Sequence, residues 1–445
     1  MMKMKNLRKY LYIVAGLLLI SSCKPEISTI KPSKGSADFS KYIAVGNSLT
    51  AGYADGGLYL AGQQNSYPAI MAKQMLAVGG GEFKQPLFGE DQANGSGYLK
   101  LTGFNADGTP ITTPVTDHLG IRGQIAIPGF GNVTLYNKYV GGEFNNLGVP
   151  GIKVQQILYA PYGNLNGYYE RMLGQEAPNN TETYLDFVTT GRNYTFFSNW
   201  LGNNDALLYA TSGGAGDVLT DKAVFQQLYT VMINAMTANG QKGVVGTIPD
   251  VTAVPYFNTI TVGAILAGVQ KANPTVQALY VNALVSGTTT YAPRAATTKD
   301  LIVLTFPTSK IGTLVTTPYG TLPYGLTPYT PIDNQYVLDE AEVALTEDYV
   351  ASYNTTITTV AAAKGLAVFD AFTFLNNIKA HGLLINGVSL NSNYISGGIF
   401  SLDGIHLTPR GYAIVANEFI KATNAKYGSS IPLANISDYS GVKFP

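Results

Sequence analysis

A hydroxyl that attacks a carbonyl needs a base within hydrogen-bond reach, a group to orient that base, and donors for the charge that develops on oxygen. Histidine is the natural base, because its unperturbed pKa lies near neutrality. The chain holds three: His118, His381 and His406. His118 falls in a Gly-, Thr- and Asn-rich stretch, and His381 in "IKAHGLL" suits a surface or capping role. His406 stands in "LDGIHLTP", three residues after Asp403 and just before a helix. A short Asp-x-x-His loop can set the carboxylate beside one imidazole nitrogen and turn the other outward. Read alone, the pair serves equally as polar residues at a helix start. The candidate hydroxyl is Ser48, in "KYIAVGNSLTAGYADGG". There an apolar run ends on Gly46-Asn47-Ser48, which presents a hydroxyl or is ordinary turn chemistry. Candidate donors are Gly151 in "NNLGVPG", whose N–H can approach an oxyanion closely, and Asn204 in "LGNND", whose amide donates without ionising. A plain turn accounts for each.

These residues need elements to position them. Tyr42–Val45 reads as a buried strand. Ser66-Tyr67-Pro68 reads as a helix start, with the helix ending near Met75. "YLKLTGFNADGTPITTPV" reads as a β-hairpin about residues 105–108. Thr195–Leu201 is an aromatic strand. Thr220 is placed to cap a helix whose Val224, Leu228, Val231, Met232 and Ala235 share one face, ended by Gly240. "GVVGTIPDV" gives a strand over Val244–Ile248, "LIVLTF" another, and "LAVFDAF" a third. Glu340–Ala363 is helical by composition. Thr408 caps a last helix, with Pro409 at its first position and Tyr412, Val415, Ala416 and Phe419 buried. Alternating helices and strands predict an α/β fold with a parallel sheet. "TTPYGTLPYGLTPYTP" reads as extended loop.

Ser48 in "GNSL", Gly151 in "NLGVPG", Asn204 in "GNND" and Asp403 with His406 in "DGIH" stand in the order of the four blocks of the GDSL, or SGNH, hydrolase family. The sequence resembles that family from Ser40 to about Tyr427. The resemblance implies a three-layer α/β/α sandwich with a central, mostly parallel, flavodoxin-like sheet. It also implies that Ser48 is the nucleophile, His406 the base and Asp403 its orienting partner. Gly151, Asn204 and the Ser48 N–H would then form the oxyanion hole. The implied activity is hydrolysis of carboxylic esters through an acyl-enzyme, on an acylated glycan or a lipid, without a cofactor. The other reading is an inactive glycan- or ligand-binding lipoprotein on the same fold. Asn47 replaces the aspartate usual in the first block. "GVSL" at Gly387–Leu390 also matches Gly-x-Ser-Leu, but its serine follows a loop-like segment late in the chain. No Gly-x-Ser-x-Gly elbow surrounds Ser48, and no His-Glu-x-x-His or phosphate-loop pattern points to zinc or nucleotide.

The start of the chain predicts export. Lys3, Lys5, Arg8 and Lys9 precede an apolar run, Leu11–Ile20, too short for an ordinary membrane span. The run closes on Ile20-Ser21-Ser22-Cys23, which resembles a bacterial lipobox and makes Cys23 the expected lipidation site. Cys23 is the only cysteine, so no internal disulfide is available. Lys24-Pro25-Glu26 resembles the lysine-plus-acid tags of surface-exported Bacteroidetes lipoproteins. The expected location is the cell envelope, lipid-anchored in the outer membrane. The 28 basic and 28 acidic residues balance, with no basic stripe for nucleic acid. The expected organisation is a signal peptide over 1–22, a flexible tether over 23–40, a hydrolase domain over 41–430 and a tail over 431–445. Insertions are expected near 78–143 and 257–335. Both are expected to wall the site, with the tyrosines of 318–329 along its rim.

Overall fold

A computed structural model describes residues 31–106 and 108–445. The basic start, the apolar run and Cys23 lie outside the described residues. Four parallel strands form the central sheet: β1 (Tyr42–Gly46), β2 (Phe196–Trp200), β3 (Lys242–Gly246) and β4 (Ala367–Phe369), in the order β1-β2-β3-β4. Residues 145–149 run parallel along the free side of β1. The Ala44 N–H donates to the Asn145 carbonyl at 2.9 Å, and the Leu147 and Val149 N–H groups donate to the Ala44 and Gly46 carbonyls at 2.8 and 3.0 Å. Counting this short segment as the second strand in the chain, the spatial order is 2-1-3-4-5, the flavodoxin-like doubly wound arrangement.

β1 and β2 are buried on both faces, as an enclosed parallel sheet requires. Alternate residues of β2 point to opposite layers. The Trp200 ring packs 5.4 Å from Phe419 of the helix Pro409–Tyr427, while the Asn199 amide reaches Met236 of the helix Lys222–Met236. On the second face the Lys222–Met236 helix packs on Glu340–Ala363 through Phe225 and Tyr353, whose rings stack at 4.0 Å. The fold is therefore α/β/α. Thr408 caps the last helix by accepting from the Gly411 N–H, and Tyr412, Val415, Ala416 and Phe419 are buried as their spacing predicts.

Several expectations need correcting. The Lys222–Met236 helix buries Phe225, Tyr229, Met232, Ile233 and Met236, while Val224 is 41% exposed. The inward face is rotated by about one residue, because two aromatic rings bury more apolar surface than the valine and leucine beside them. Its cap is Asp221, not Thr220, whose hydroxyl is engaged with Asp205. "LIVLTF" is strand only over Leu301–Ile302, paired with Val337–Leu338. Residues 33–40 do not form a loose tether. Phe39 is buried against Phe196 with ring centroids 4.8 Å apart, and the Ser36 N–H donates to the Tyr427 carbonyl.

Residues 78–143 contain the expected hairpin, Tyr98–Phe104 with Pro110–Val115, and a second, Ile121–Ile127 with Gly131–Tyr136. The "TTPYGTLPYGLTPYTP" run is not wholly loop, since Leu314–Thr317 and Gly320–Pro323 close on each other as a hairpin. Its Tyr319 packs on Tyr329 and its Tyr324 hydroxyl donates to Asp333. The tyrosines satisfy one another and their own segment, and none lines the cleft described below.

Candidate active site

Ser48 is the first residue of a one-turn helix, Ser48–Ala51, that begins directly after β1. Gly46 is required at the bend, since a Cβ there would lie 2.0 Å from the Thr50 hydroxyl. Asn47 caps the turn by accepting from the Leu49 N–H at 3.0 Å, leaving its buried Nδ2 without a partner. The acceptor role that an aspartate would fill is therefore kept. The serine is held at the carboxyl edge of the sheet, between β1 and β2 where the winding direction reverses.

The structure brings Ser48, Asp403 and His406 together. Ser48 Oγ lies 2.8 Å from His406 Nε2, and His406 Nδ1 lies 2.8 Å from Asp403 Oδ2. Asp403 Oδ1 accepts from the backbone N–H groups of Ile405 (2.9 Å) and His406 (2.8 Å), and Oδ2 from that of Gly56 (2.9 Å). Burial pushes the Asp403 carboxyl up. The adjacent His406 and these donors outweigh it and hold the group well below the usual carboxylate range. The two loops are stitched directly. The Asp55 N–H donates to Ser401 Oγ at 2.9 Å, and the Leu402 N–H donates to Asp55 Oδ1 at 2.9 Å. Asp55 adopts φ +53, a left-handed backbone held in place by these bonds. The Tyr53 ring packs 4.6 Å from the His406 imidazole.

Gly151 and Asn204 reach the same cleft, of about 350 Å3, whose lining also includes Ser48, Tyr53, Tyr168 and His406. Gly151 turns the chain at φ +86. Among the described residues neither its N–H nor that of Ser48 donates a hydrogen bond. Asn204 is in the first turn of the helix Asn203–Thr211, which follows β2 through Gly202 at φ +107. Asn204 Nδ2 donates one hydrogen to the Ile152 carbonyl at 3.0 Å, which fixes the amide and leaves its second hydrogen available. The next residue, Asp205, is fully buried and accepts from Thr220 Oγ1 (2.6 Å) and the Val154 N–H (2.8 Å). Burial pushes its carboxyl up to about 6 despite these donors. The Asn204–Ile152 and Asp205–Val154 bonds tie this turn to the segment that follows Gly151, and the Thr220 bond ties it to the start of the helix Lys222–Met236.

His118 and His381 are exposed and are not among the cleft residues. Ser389 of "GVSL" is exposed in the hairpin Leu383–Ile385 with Val388–Leu390. Sequence reasoning missed Tyr53, Asp55, Gly56, Ser401, Tyr168 and Asp205. The one available signal was the glycine-bearing "GYADGG" immediately after the serine turn. Among the described residues no group of three or more His, Cys, Asp and Glu could hold a metal ion.

A serine, imidazole and carboxylate in series on a doubly wound sheet, opening on a cleft with free N–H donors, is the layout of an acyl-transfer site. The model of the GDSL-like lipase/acylhydrolase family matches residues 42–419, and the chain belongs to that family. No curated protein matches it. Among solved structures it is similar to LAE5, an alpha/beta hydrolase enzyme from the metagenome of Lake Arreo, Spain. That likeness has 12% identity, covers 88% of this chain and 97% of that one, and has a TM-score of 0.36. It is also similar to the lipase/acylhydrolase from Enterococcus faecalis, with 11% identity, 88% and 99% coverage and a TM-score of 0.33.

Proposed function

We propose that the protein is a lipid-anchored serine esterase that works through an acyl-enzyme. The observation that carries this reading is the unbroken series from Ser48 Oγ through His406 to Asp403, with both contacts at 2.8 Å. His406 Nε2 takes the serine proton as Oγ attacks the ester carbonyl. The resulting oxyanion is met by the N–H groups of Ser48 and Gly151 and the spare hydrogen of Asn204. His406 then returns the proton to the departing alcohol, leaving the acyl group on Ser48. Water, deprotonated by the same imidazole, releases the acid and restores the serine. Ionised Asp403 keeps Nδ1 protonated and stabilises the imidazolium that forms in each half.

Family membership supports ester hydrolysis, and the roles given to individual residues are our reading. The test is turnover of a short-chain chromogenic ester with Ser48→Ala beside it. Turnover that survives the substitution would rule out the assignment, and a wild-type protein that binds but never turns over would favour a binding lipoprotein. Anchoring through Cys23 and location in the outer membrane rest on the lipobox-like sequence. Mass spectrometry of the mature N-terminus should find a lipidated Cys23, and a chain starting elsewhere would remove the anchor.

A further inference from the structure

The hairpin Ile121–Ile127 with Gly131–Tyr136 does not hang free. The buried carboxylate of Glu170 takes Arg122 Nη2 and Lys138 Nζ, each at 2.8 Å. Gly167 lets the hairpin backbone close in, since a Cβ there would lie 1.9 Å from the Thr134 carbonyl oxygen. The Tyr136 ring stacks on Tyr168 at 4.6 Å, Tyr168 meets Tyr53 edge-on at 6.2 Å, and Tyr53 packs on His406. An aromatic series therefore runs from the insertion to the imidazole. Beneath the hairpin lies a second hollow of about 360 Å3, lined by Phe130, Asn132, Thr134, Tyr136, Asn166 and Tyr168 among others. Asn166 and Tyr168 also line the Ser48 cleft, so the two hollows adjoin at these residues. Each is large enough for a small molecule.

We infer that this hollow holds the alcohol portion of the ester, and that the alcohol is a neutral ring-shaped polyol of the sugar class. The inference rests on the serine-esterase reading. Aromatic faces accept the apolar face of a sugar ring, while amide, hydroxyl and backbone groups meet its hydroxyls. No residue lining the hollow is charged, and Arg122 and Lys138 are committed to Glu170. A phosphorylated headgroup would enter without a counter-charge, which disfavours a phospholipid. Leu207, Leu208 and Ile405 line other parts of the Ser48 cleft and give the acyl group an apolar surface.

Phe130 is 63% exposed and Asn132 is also exposed, so replacing them leaves the core intact. The experiment compares kcat/KM on an O-acetylated methyl glycoside, on para-nitrophenyl acetate and on phosphatidylglycerol vesicles, for wild type and for Phe130→Ala/Asn132→Ala. Wild type should prefer the acetylated glycoside. In the variant the ratio of glycoside to aryl ester should fall at least roughly tenfold, chiefly through KM. A ratio that stays within about twofold, or a wild-type preference for the phospholipid, would overturn the subsite while leaving the esterase intact. Absence of any Ser48-dependent turnover of the aryl ester is a separate result, and would remove the esterase reading and the subsite with it.

Discussion

Asp403 stands behind His406 and Asp205 stands behind Asn204, so each side of the cleft rests on an aspartate, yet the two carboxyls are pushed in opposite directions. Burial raises both. Asp403 has an imidazole at 2.8 Å and backbone donors on both oxygens, and is held below the usual range. Asp205 has a hydroxyl, backbone N–H groups and the nearby Lys153 but no charged group in direct contact, and burial pushes it up to about 6. Direct contact with the imidazole, added to the backbone donors, reverses the effect of burial at Asp403, while the weaker help at Asp205 does not. On the proposed mechanism Asp403 has to be charged, because it stabilises an imidazolium. Asp205 has only to be an acceptor, because it holds a turn.

The comparison can be broken at several points. The largest losses should come from the proposed reacting pair. Ser48→Ala and His406→Ala should each cost roughly 10^4- to 10^6-fold in kcat, and the double variant little more, because the two act as a unit. Full additivity in ester-turnover kinetics would show that they do not. Asp403→Asn should cost less, roughly 10^3- to 10^4-fold, since the orientation of His406 is degraded while the base remains. On the other side of the cleft, Asn204→Ala should lower kcat roughly 10^2- to 10^3-fold with KM little changed, because the donor is aimed at charge present only in the transition state. A rise in KM alone would make Asn204 a substrate-binding residue instead.

The smallest effect on activity should come from Asp205→Asn. An amide can accept from the Val154 N–H and donate to the Thr220 hydroxyl, so turnover should change by only about twofold to fivefold. The sharper readout is stability. The folded-state pKa of Asp205, about 6, lies above its unfolded value near ~3.9. The native state therefore binds more protons than the unfolded state between those values, and stability falls as pH rises through that window. The total is on the order of 3 kcal/mol at neutral pH. Denaturation curves from pH 4 to 7 should show that Asp205→Asn removes this slope. Asp403 has the opposite sign: its depressed pKa contributes stability above the ordinary carboxylate range, lost as pH falls below it. A Asp205→Asn protein with an unchanged slope would contradict the contrast.

Much of this was legible where chemistry is encoded locally. A strand ending in Gly-Asn-Ser, a Thr-Pro helix start behind Asp-x-x-His, and a strand running into Gly-Asn-Asn-Asp each fix a side chain within a few residues of the element that carries it. The α/β order was legible for the same reason. What escaped is what depends on contacts across the fold. The Gly56 N–H reaches Asp403 across 347 positions, and no local pattern announces it. Val224 and Phe225 fit equally well on a helical face until the neighbouring helix supplies Tyr353 to choose between them. Tyr319 and Tyr329, as tyrosines in a loop-like run, suit a rim for the cleft by sequence alone. Hairpin closure turned them on each other. Tyr168 reaches the cleft from a segment with no chemical signature, held by the Tyr136 ring of a distant hairpin.

The central claim is that Ser48 is the nucleophile, activated by His406. A fluorophosphonate probe followed by peptide mass spectrometry tests it most directly, because it marks an activated serine whatever the natural ester is. The account predicts a single adduct on the peptide containing Ser48, absent in Ser48→Ala and strongly slowed in His406→Ala. An adduct on another residue, or labelling of Ser48 that is indifferent to His406→Ala, would contradict it.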